Sequence, residues 1–323
     1  MKLKKEYFFL TAILVALILY LTLHRSNRTH YQLPDLPAVP EKQISKLEII
    51  TPGKSIVLNK KDDAWSIEPK GYPADLTKVK GMLSVIGKLK LTALVSESKN
   101  YERYDLGNDK KIHVKAWEGK TLARDFDVGK AAPTFKHTFV KLANDPNVYH
   151  ARQDFRRKFD RSVNDLRDKT VMTYAQNTIG EITLVHDKKT VSLFRKEILV
   201  TSPGKKETAA KASKEQKPKT IWADAKGQKE SPSKVSRLLS FLNRLECEAY
   251  IDNAKKEDFK NPVLAVSLKG EKEYALSIFA KKDKKDKTYP AVSSENDYPF
   301  TLSESQVDGI KSKIDDFLKI EKK

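Results

Sequence analysis

The sequence predicts an α+β protein in which an N-terminal single transmembrane helix precedes two tandem repeats of a mostly antiparallel sheet with packed helices. Three observations support this fold class. Residues 7–23 form one uncharged apolar run, and residues 77–99 match residues 233–255 without a gap, with the apolar positions coinciding throughout. Short β-rich runs flank each matching segment. An internal duplication is more typical of scaffolds and binding surfaces than of single active sites.

The apolar run at 7–23 is long enough for a short transmembrane helix, at about 1.5 Å per residue. A cleaved secretory signal is the alternative, but no small-x-small cleavage site follows the run, which favours an uncleaved signal anchor. The excess of lysines before the run favours a cytoplasmic N-terminus over residues 1–6. We therefore expect a single-pass protein of the bacterial inner membrane with most of its chain in the periplasm.

After the anchor, a Pro-containing linker is predicted over 24–43, and its composition suits a stiff extended spacer. The first α+β repeat is predicted over 44–170 and the second over 171–323. A chain of 323 residues is long enough for each repeat to bury its own core.

Each repeat begins with three short strands. In the first repeat, the β-rich runs 44–50 and 54–60 flank a Thr-Pro-Gly turn, which predicts a hairpin, and a third strand follows at 64–67. The second repeat opens in the same way at 179–185 and 189–195.

In the second repeat, residues 198–220 separate the second strand from the third. They contain few apolar residues and many Lys, Ala and Ser, which predicts an exposed and mobile loop. Trp222 then takes the place that Trp65 has in the first repeat.

A helix with one apolar face follows in each repeat. Apolar residues recur at i, i+3, i+4, i+7 and i+10, which is the pattern of a single buried face. We predict that Asp75 and Ser233 accept hydrogen bonds from the first free backbone N–H groups of these helices. The two faces consist of Val79, Met82, Leu83, Ile86 and Leu89 in the first repeat and of Val235, Leu238, Leu239, Leu242 and Leu245 in the second.

Further strands complete each sheet, and a helix closes each repeat, at 153–168 in the first and at 304–318 in the second. Alternation and clustering of apolar residues predict the strands. They are 92–96, 111–117, 122–128, 138–142 and 148–151 in the first repeat, and 248–252, 263–268, 274–279 and a shortened end near 289–300 in the second.

The formal net charge of +19 comes mainly from lysines spread along the chain. A solvated surface is the simpler interpretation, and attraction to anionic lipid or to an acidic envelope polymer is the other. The basic helix at 153–168 is the candidate anion-binding element. Alternatively, its aromatic stripe packs on the sheet while its basic residues are solvated or paired with nearby aspartates. The candidate residues are Arg152, Arg156, Arg157 and Arg161.

The sequence contains no recognisable catalytic, cofactor-binding or metal-binding motif. No two histidines have a metal-ligand spacing, and hydrolase, nucleotide and dinucleotide signatures are missing. The single Cys247 aligns with Leu91 of the first copy, at the end of the apolar helix face, so we predict a core residue rather than a nucleophile. We expect no enzyme, no cofactor, no metal and no nucleic-acid partner.

Six short segments carry a family resemblance: Ala-Trp-Ser-Ile at 64–67, Tyr-Pro-Ala-Asp at 72–75, Tyr-Asp-Leu-Gly at 104–107, Phe-Asp-Val-Gly-Lys at 126–130, Val-Tyr at 148–149 and Asn-Asp-Leu-Arg-Asp-Lys at 164–169. With them the chain resembles an uncharacterised bacterial domain-of-unknown-function family of membrane-anchored, tandemly repeated envelope proteins. The resemblance covers nearly everything after the anchor, although the second repeat keeps the motifs only in part. It implies an association with gliding-motility-type ABC transporter genes and supplies no catalytic residues.

The expected function is that of a non-catalytic membrane-anchored envelope protein, acting as an accessory or scaffold subunit of an ABC-type transport or envelope complex. The alternative is a binder of acidic envelope polymer or anionic lipid through the basic surface. Ionic strength separates the two, because polyanion binding weakens steeply with salt whereas a packed apolar interface does not. An enzyme whose active site lacks a known motif is a third alternative.

Overall fold

The computed structural model describes residues 5–23, 31–200 and 217–318 of the chain. The chain divides into two compact units, Met1–Leu166 (unit 1) and Arg167–Lys323 (unit 2). Each unit contains one nine-stranded antiparallel sheet, and the order of the strands is the same in both. The protein therefore consists of two sheet-rich, repeat-like parts, as the sequence predicts.

The predicted membrane anchor is not supported. Helix α1 (Lys5–Leu23) is apolar, and its described side chains, those of 9–20, are exposed. Within the described ranges, no helix has both the length and the apolar character needed to cross a membrane.

This finding overturns the transmembrane segment at 7–23, and with it the membrane as a partner and the single-pass inner-membrane localisation with a periplasmic body. The predicted cytoplasmic N-terminus at 1–6 depended on the same anchor. Residues 1–4 of that segment lie outside the described residues, as do residues 24–30 of the predicted linker.

The strands of unit 1 are β1 (Ile44–Thr51), β2 (Lys54–Lys61), β3 (Ala64–Ile67), β4 (Tyr72–Pro73), β5 (Leu91–Ser96), β6 (Ile112–Glu118), β7 (Thr121–Ala131), β8 (His137–Leu142) and β9 (Val148–Arg152). Their order in the sheet is β4-β3-β2-β1-β6-β7-β8-β9-β5. In the predicted hairpin, Gly53 has a φ of 75°, a conformation that a residue without Cβ adopts readily. In the register, Ile49 of β1 faces both Ile56 of β2 and Val114 of β6.

Helix α2 (Leu76–Gly87) connects β4 to β5, the two edge strands of the unit 1 sheet. As predicted, the carboxylate of Asp75 accepts hydrogen bonds from the N–H groups of Thr77 and Lys78, at 2.9 and 3.2 Å. The predicted apolar face is buried at all of its positions, which are Val79, Met82, Leu83, Ile86 and Leu89. This face forms part of the core of unit 1.

The prediction of a single helix at 153–168 is wrong. Its place is taken by two four-residue helices, α3 (Arg156–Phe159) and α4 (Val163–Leu166). The Ser162 hydroxyl accepts from the Asp165 N–H at 3.1 Å, and the Asp165 carboxylate accepts from the Ser162 N–H at 3.0 Å. Such a reciprocal cap starts a new helix instead of continuing the previous one.

The described part of the linker packs against the end of α2 and against β7. The Val39 side chain is buried, and the Val39 N–H donates to the Gly87 carbonyl at 3.1 Å. A Cβ on Gly87 would lie 2.6 Å from the Val39 carbonyl oxygen, so this close approach needs glycine. The Arg124 guanidinium also donates to the Pro37 carbonyl.

The sheet strands of unit 2 are β11 (Glu181–His186), β12 (Lys189–Val200), β13 (Lys217–Asp224), β14 (Lys229–Glu230), β16 (Ala249–Tyr250), β17 (Leu264–Lys269), β18 (Glu273–Ile278), β19 (Thr288–Ser293) and β20 (Phe300–Ser303). Their order is β14-β13-β12-β11-β17-β18-β19-β20-β16. The strands β10 (Thr170–Met172) and β15 (Leu245–Glu246) form a separate antiparallel pair. The helices are α5 (Pro232–Leu242) and α6 (Glu304–Leu318), and the bounds of α6 agree with the prediction.

Two predictions for unit 2 need correction. The ends of the predicted loop 198–220 are strand, because Ile198 pairs with Lys219 across β12 and β13, and residues 201–216 lie outside the described residues. Helix α5 starts two residues earlier than predicted, with Ser231 rather than Ser233 in the cap position. Proline is favoured in the first turn of a helix, where its missing N–H has no partner to lose. The predicted apolar face of α5 is buried throughout.

Candidate anion-binding site

The four arginines predicted to bind anions do not form one cluster. Arg152 is the last residue of β9, Arg156 and Arg157 lie in α3, and Arg161 lies between α3 and α4. The Arg156 guanidinium is engaged by the fold, because it donates to two backbone carbonyls at 2.7 and 3.1 Å. Arg157 and Arg161 are exposed. Of the four, Arg152 alone lines the cavity described next.

A cavity of about 330 Å³ lies in unit 1 where α2 ends, beside the last residue of β9 and the helix α3. We call it the basic pocket, because four cationic side chains and no carboxylate line it. The cations are Lys88, Lys90, Arg152 and Lys158, and the other lining residues are Ser84, Val85, Leu89, Gln153 and Phe155. Its volume is at the lower end of the range for small-molecule sites.

The end of α2 places two of the lysines at the pocket. The helix closes with the N–H of Lys88 donating to the Ser84 carbonyl at 3.2 Å. Leu89 is buried, whereas its neighbours Lys88 and Lys90 are exposed. The Lys90 carbonyl accepts from the N–H of Arg152 at 3.0 Å, and this bond brings the two cationic residues side by side.

The turn after β9 forms the other wall. Gln153 has a φ of 75°, which bends the chain away from the strand. The Thr138 hydroxyl donates to the Gln153 carbonyl at 2.9 Å and accepts from the Phe155 N–H at 3.1 Å. Phe155 then packs edge-on against Phe159, with 6.2 Å between the ring centroids. These contacts fix α3 and therefore the backbone that carries Lys158.

The positive charge of the basic pocket is largely uncompensated. Lys88 Nζ lies 3.3 Å from Glu41 Oε1, but the Lys88 side chain is 76% exposed, so this ion pair is weak. Among the residues that the structure describes, Lys90, Arg152 and Lys158 have no carboxylate partner. The C-terminal end of α2 adds a partial negative charge of about half a unit, which four full positive charges exceed.

Such a lining selects an anionic group. A guanidinium can donate two parallel hydrogen bonds to a phosphate, sulfate or carboxylate, and ammonium groups add point charges. Ser84 has the only side-chain hydroxyl in the lining, and no histidine or carboxylate accompanies it as a base. The geometry of the pocket therefore fits the binding of an anionic group.

Of the four cations, only Arg152 was predicted from the sequence, whereas Lys88, Lys90 and Lys158 were not. The missing information was the pairing of β5 with β9, which aligns Leu91 with Ala151 and so brings the end of α2 beside the end of β9. One usable signal was present, since two lysines flank a buried leucine directly after an amphipathic helix.

A second polar cluster lies on the sheet of unit 1. His113 Nδ1 is 2.6 Å from Asp127 Oδ1, and His113 Nε2 is 3.3 Å from Asp125 Oδ1. Lys111 and Lys141 each lie 3.4 Å from the other oxygen of Asp127. Burial alone would raise the pKa of Asp127, but the hydrogen bond with His113 and the two lysines outweigh it and hold that pKa below its usual value. The carboxylate of Asp127 is therefore held by three partners, His113, Lys111 and Lys141.

Two buried polar side chains of unit 2, His186 and Arg167, have carboxylate partners. His186 Nδ1 lies 2.6 Å from Asp315 Oδ1, and Arg167 donates to Asp252 at 2.7 Å while it stacks on the Tyr250 ring. Cys247 is buried, as predicted for a core residue, and burial raises the pKa of its thiol to about 11. In the described part of the chain, no group of three or more His, Cys, Asp or Glu residues is arranged to hold a metal ion.

The comparisons with known proteins identify a family. Neither the curated proteins nor the solved structures contain a match to this chain. The model of the family "Domain of unknown function (DUF4340)" matches residues 65–262, which include all four cations of the basic pocket. The resemblance to an uncharacterised domain-of-unknown-function family is thereby confirmed. Because this match covers more than half of the chain, the protein belongs to the DUF4340 family.

Proposed function

We propose that this protein is a non-catalytic binding protein that holds an anionic group in the basic pocket of unit 1. The observation that supports this proposal is the convergence of Lys88, Lys90, Arg152 and Lys158 on one cavity without a carboxylate in its lining. The proposal corresponds to the predicted alternative, a binder of acidic polymer or anionic lipid. That the protein is not an enzyme stays a prediction.

The basic pocket differs from the rest of the cationic surface. Most of the net charge of +19 is spread along the chain, where single lysines attract any polyanion weakly. In the pocket, one ligand group can contact several cations at once, and the concave apolar floor of Val85, Leu89 and Phe155 removes water from the contact. Charge-assisted hydrogen bonds in such a place contribute about 1.5–3 kcal/mol each.

The test is calorimetric titration with inorganic phosphate at low ionic strength. We expect the double variant Lys90→Gln, Arg152→Gln to weaken phosphate binding at least about tenfold, since the loss of a single charge-assisted bond already accounts for about that factor.

The matched control is the double variant Arg157→Gln, Arg161→Gln, which removes the same charge from exposed positions outside the pocket. Its phosphate affinity is expected to stay within about twofold of the unmodified protein, because long-range surface charge contributes little. Equal weakening in the two variants would mean that surface charge alone attracts the anion. A lack of phosphate binding by the unmodified protein would refute the proposal.

The first predicted function, an accessory or scaffold subunit of an ABC-type transport or envelope complex, is a second proposal. The observation that favours it is the repetition of one strand order in two units whose polar clusters differ. A duplicated unit can offer two different surfaces to a larger assembly. Isolation of the protein from its native cells at low and at high salt, with mass spectrometry of what is retained, tests this proposal. Retention of ABC-transporter subunits at high salt supports it, and recovery of salt-labile polyanions alone argues against it.

A further inference from the structure

We infer that the basic pocket is the head-group end of a larger site for an anionic amphiphile, a molecule with one phosphate, sulfate or carboxylate group and one aliphatic chain. This inference rests on the proposed function, because the basic pocket must first bind an anion. The observation that carries it is a second cavity that shares residues 88–90 with the basic pocket.

The second cavity has a volume of about 540 Å³ and lies between the linker and the segment that follows α2. We call it the linker groove. The only carboxylate in the lining of the groove is that of Asp35, which is an exposed residue. The apolar part of the lining consists of Leu33, Pro34, Leu36, Ala38, Leu89 and Leu91.

The walls of the linker groove are fixed by backbone contacts. The hydrogen bond from Val39 to Gly87 holds the linker against the end of α2, and the bond from Arg124 to Pro37 holds it against β7. Because a side chain at Gly87 would collide with the Val39 carbonyl, the linker approaches α2 as closely as glycine allows.

The distribution of charge along the two cavities favours an amphiphile over a polyanion. Lys88 and Lys90 belong to both cavities, whereas Arg152 and Lys158 lie only in the basic pocket, so positive charge is concentrated at one end. At the other end, leucines and Asp35 line the linker groove. A polyanion would place further negative charge against these groups, whereas an aliphatic chain would bury itself among the leucines. Both volumes fall within the range of small-molecule sites.

The test is calorimetric titration with inorganic phosphate and with methyl, butyl and octyl phosphate, all as monomers below their micelle concentrations. Each methylene that enters the linker groove is expected to raise the affinity about threefold to fourfold. The variant Lys90→Gln, Arg152→Gln is expected to weaken binding of every ligand in the series by a similar factor.

Two further variants address the linker groove alone. Leu36→Asn makes its wall polar, and Ala38→Trp fills it from an exposed position that does not belong to the core, so Ala38→Trp is expected to keep the fold. Both are expected to remove the gain with chain length. Leu122→Asn, at a residue that is 47% exposed and lies outside both cavities, is the control and is expected to keep that gain.

The outcomes separate this inference from the proposed function. If inorganic phosphate binds but chain length adds no affinity, the amphiphile inference is wrong while the anion-binding proposal stands. If no phosphate in the series binds, both fail. The inference would also be overturned if affinity rose with the length of the alkyl chain but did not fall in the variant that lacks Lys90 and Arg152. The same is true of binding to anionic phospholipid vesicles without binding of monomeric octyl phosphate.

Discussion

Gly129, on β7, allows a loop to lie directly on the unit 1 sheet. A Cβ at this position would overlap the Tyr104 carbonyl oxygen and would lie 3.2 Å from the Phe139 carbonyl oxygen. Tyr104 and Phe139 pack against each other there, with 4.9 Å between ring centroids. Gly129→Ala is therefore expected to lower the free energy of unfolding of unit 1 by about 1–3 kcal/mol, because the loop must move away. Urea denaturation measures this change.

Gly81→Ala is the control for that experiment. In α2, the nearest atom to a Cβ at this position would be Lys158 Cδ, at 4.0 Å. Alanine at this helical position is expected to raise the free energy of unfolding by up to about 1 kcal/mol. If both variants lost stability to the same extent, close approach of the loop would not be the reason for Gly129.

His150 should make the stability of unit 1 depend on pH. Burial, and then the positive charge of the neighbouring His137, lower the pKa of His150. In the unfolded chain the His150 side chain has the ordinary histidine pKa of about 6.5, so below that pH the folded state binds fewer protons than the unfolded state. Stability is therefore complete above about pH 6.5 and falls as the pH drops toward the lowered pKa. We expect His150→Phe to reduce the loss of unfolding free energy between about pH 7 and pH 5. Parallel pH profiles for variant and unmodified protein would contradict this.

Among the elements, α2 and α5 occupy matching places in the two units but begin differently. The Asp75 carboxylate accepts two backbone hydrogen bonds at the start of α2, whereas the side chain of Ser231 makes no such bond at the start of α5. We expect Asp75→Ala to cost about 0.5–2 kcal/mol in unfolding free energy, and Ser231→Ala only a few tenths. Amide exchange in the first turn of each helix measures the difference. Equal effects would mean that the cap of Asp75 contributes nothing.

The elements that the sequence predicts well are those specified by local periodicity. The hairpin of β1 and β2, the buried faces of α2 and α5 and the bounds of α6 follow from residue spacing alone. The division between α3 and α4 depends on one short-range signal, the Ser162 and Asp165 cap, which the apolar periodicity of 153–168 concealed. The candidate site was harder to predict. Its cations come from two segments that meet only because β5 pairs with β9, and no local pattern specifies that pairing.

For the whole molecule, the net charge of +19 predicts a response to salt. Excess charge of one sign destabilises a compact state by self-repulsion, and salt shortens the range of that repulsion from about 30 Å at 0.01 M to about 8 Å at 0.15 M. We expect the melting temperature to rise over this range of sodium chloride concentration. Calorimetry measures it, and a melting temperature that falls with salt would show that attractive ion pairs outweigh the repulsion.

The strand order also determines when each sheet can be completed during folding. Strand β5 leaves the ribosome before β6, yet its partner is β9, with Leu94 opposite Tyr149. Unit 2 repeats this arrangement, because β16 pairs with β20. Closing such long intervals costs chain entropy before any contact is gained, so β5 and β16 join their sheets late. Until then the apolar faces of α2 and α5 have no finished sheet to cover them. Each nascent unit is therefore most prone to aggregation in the interval between synthesis of its helix and synthesis of its last strand.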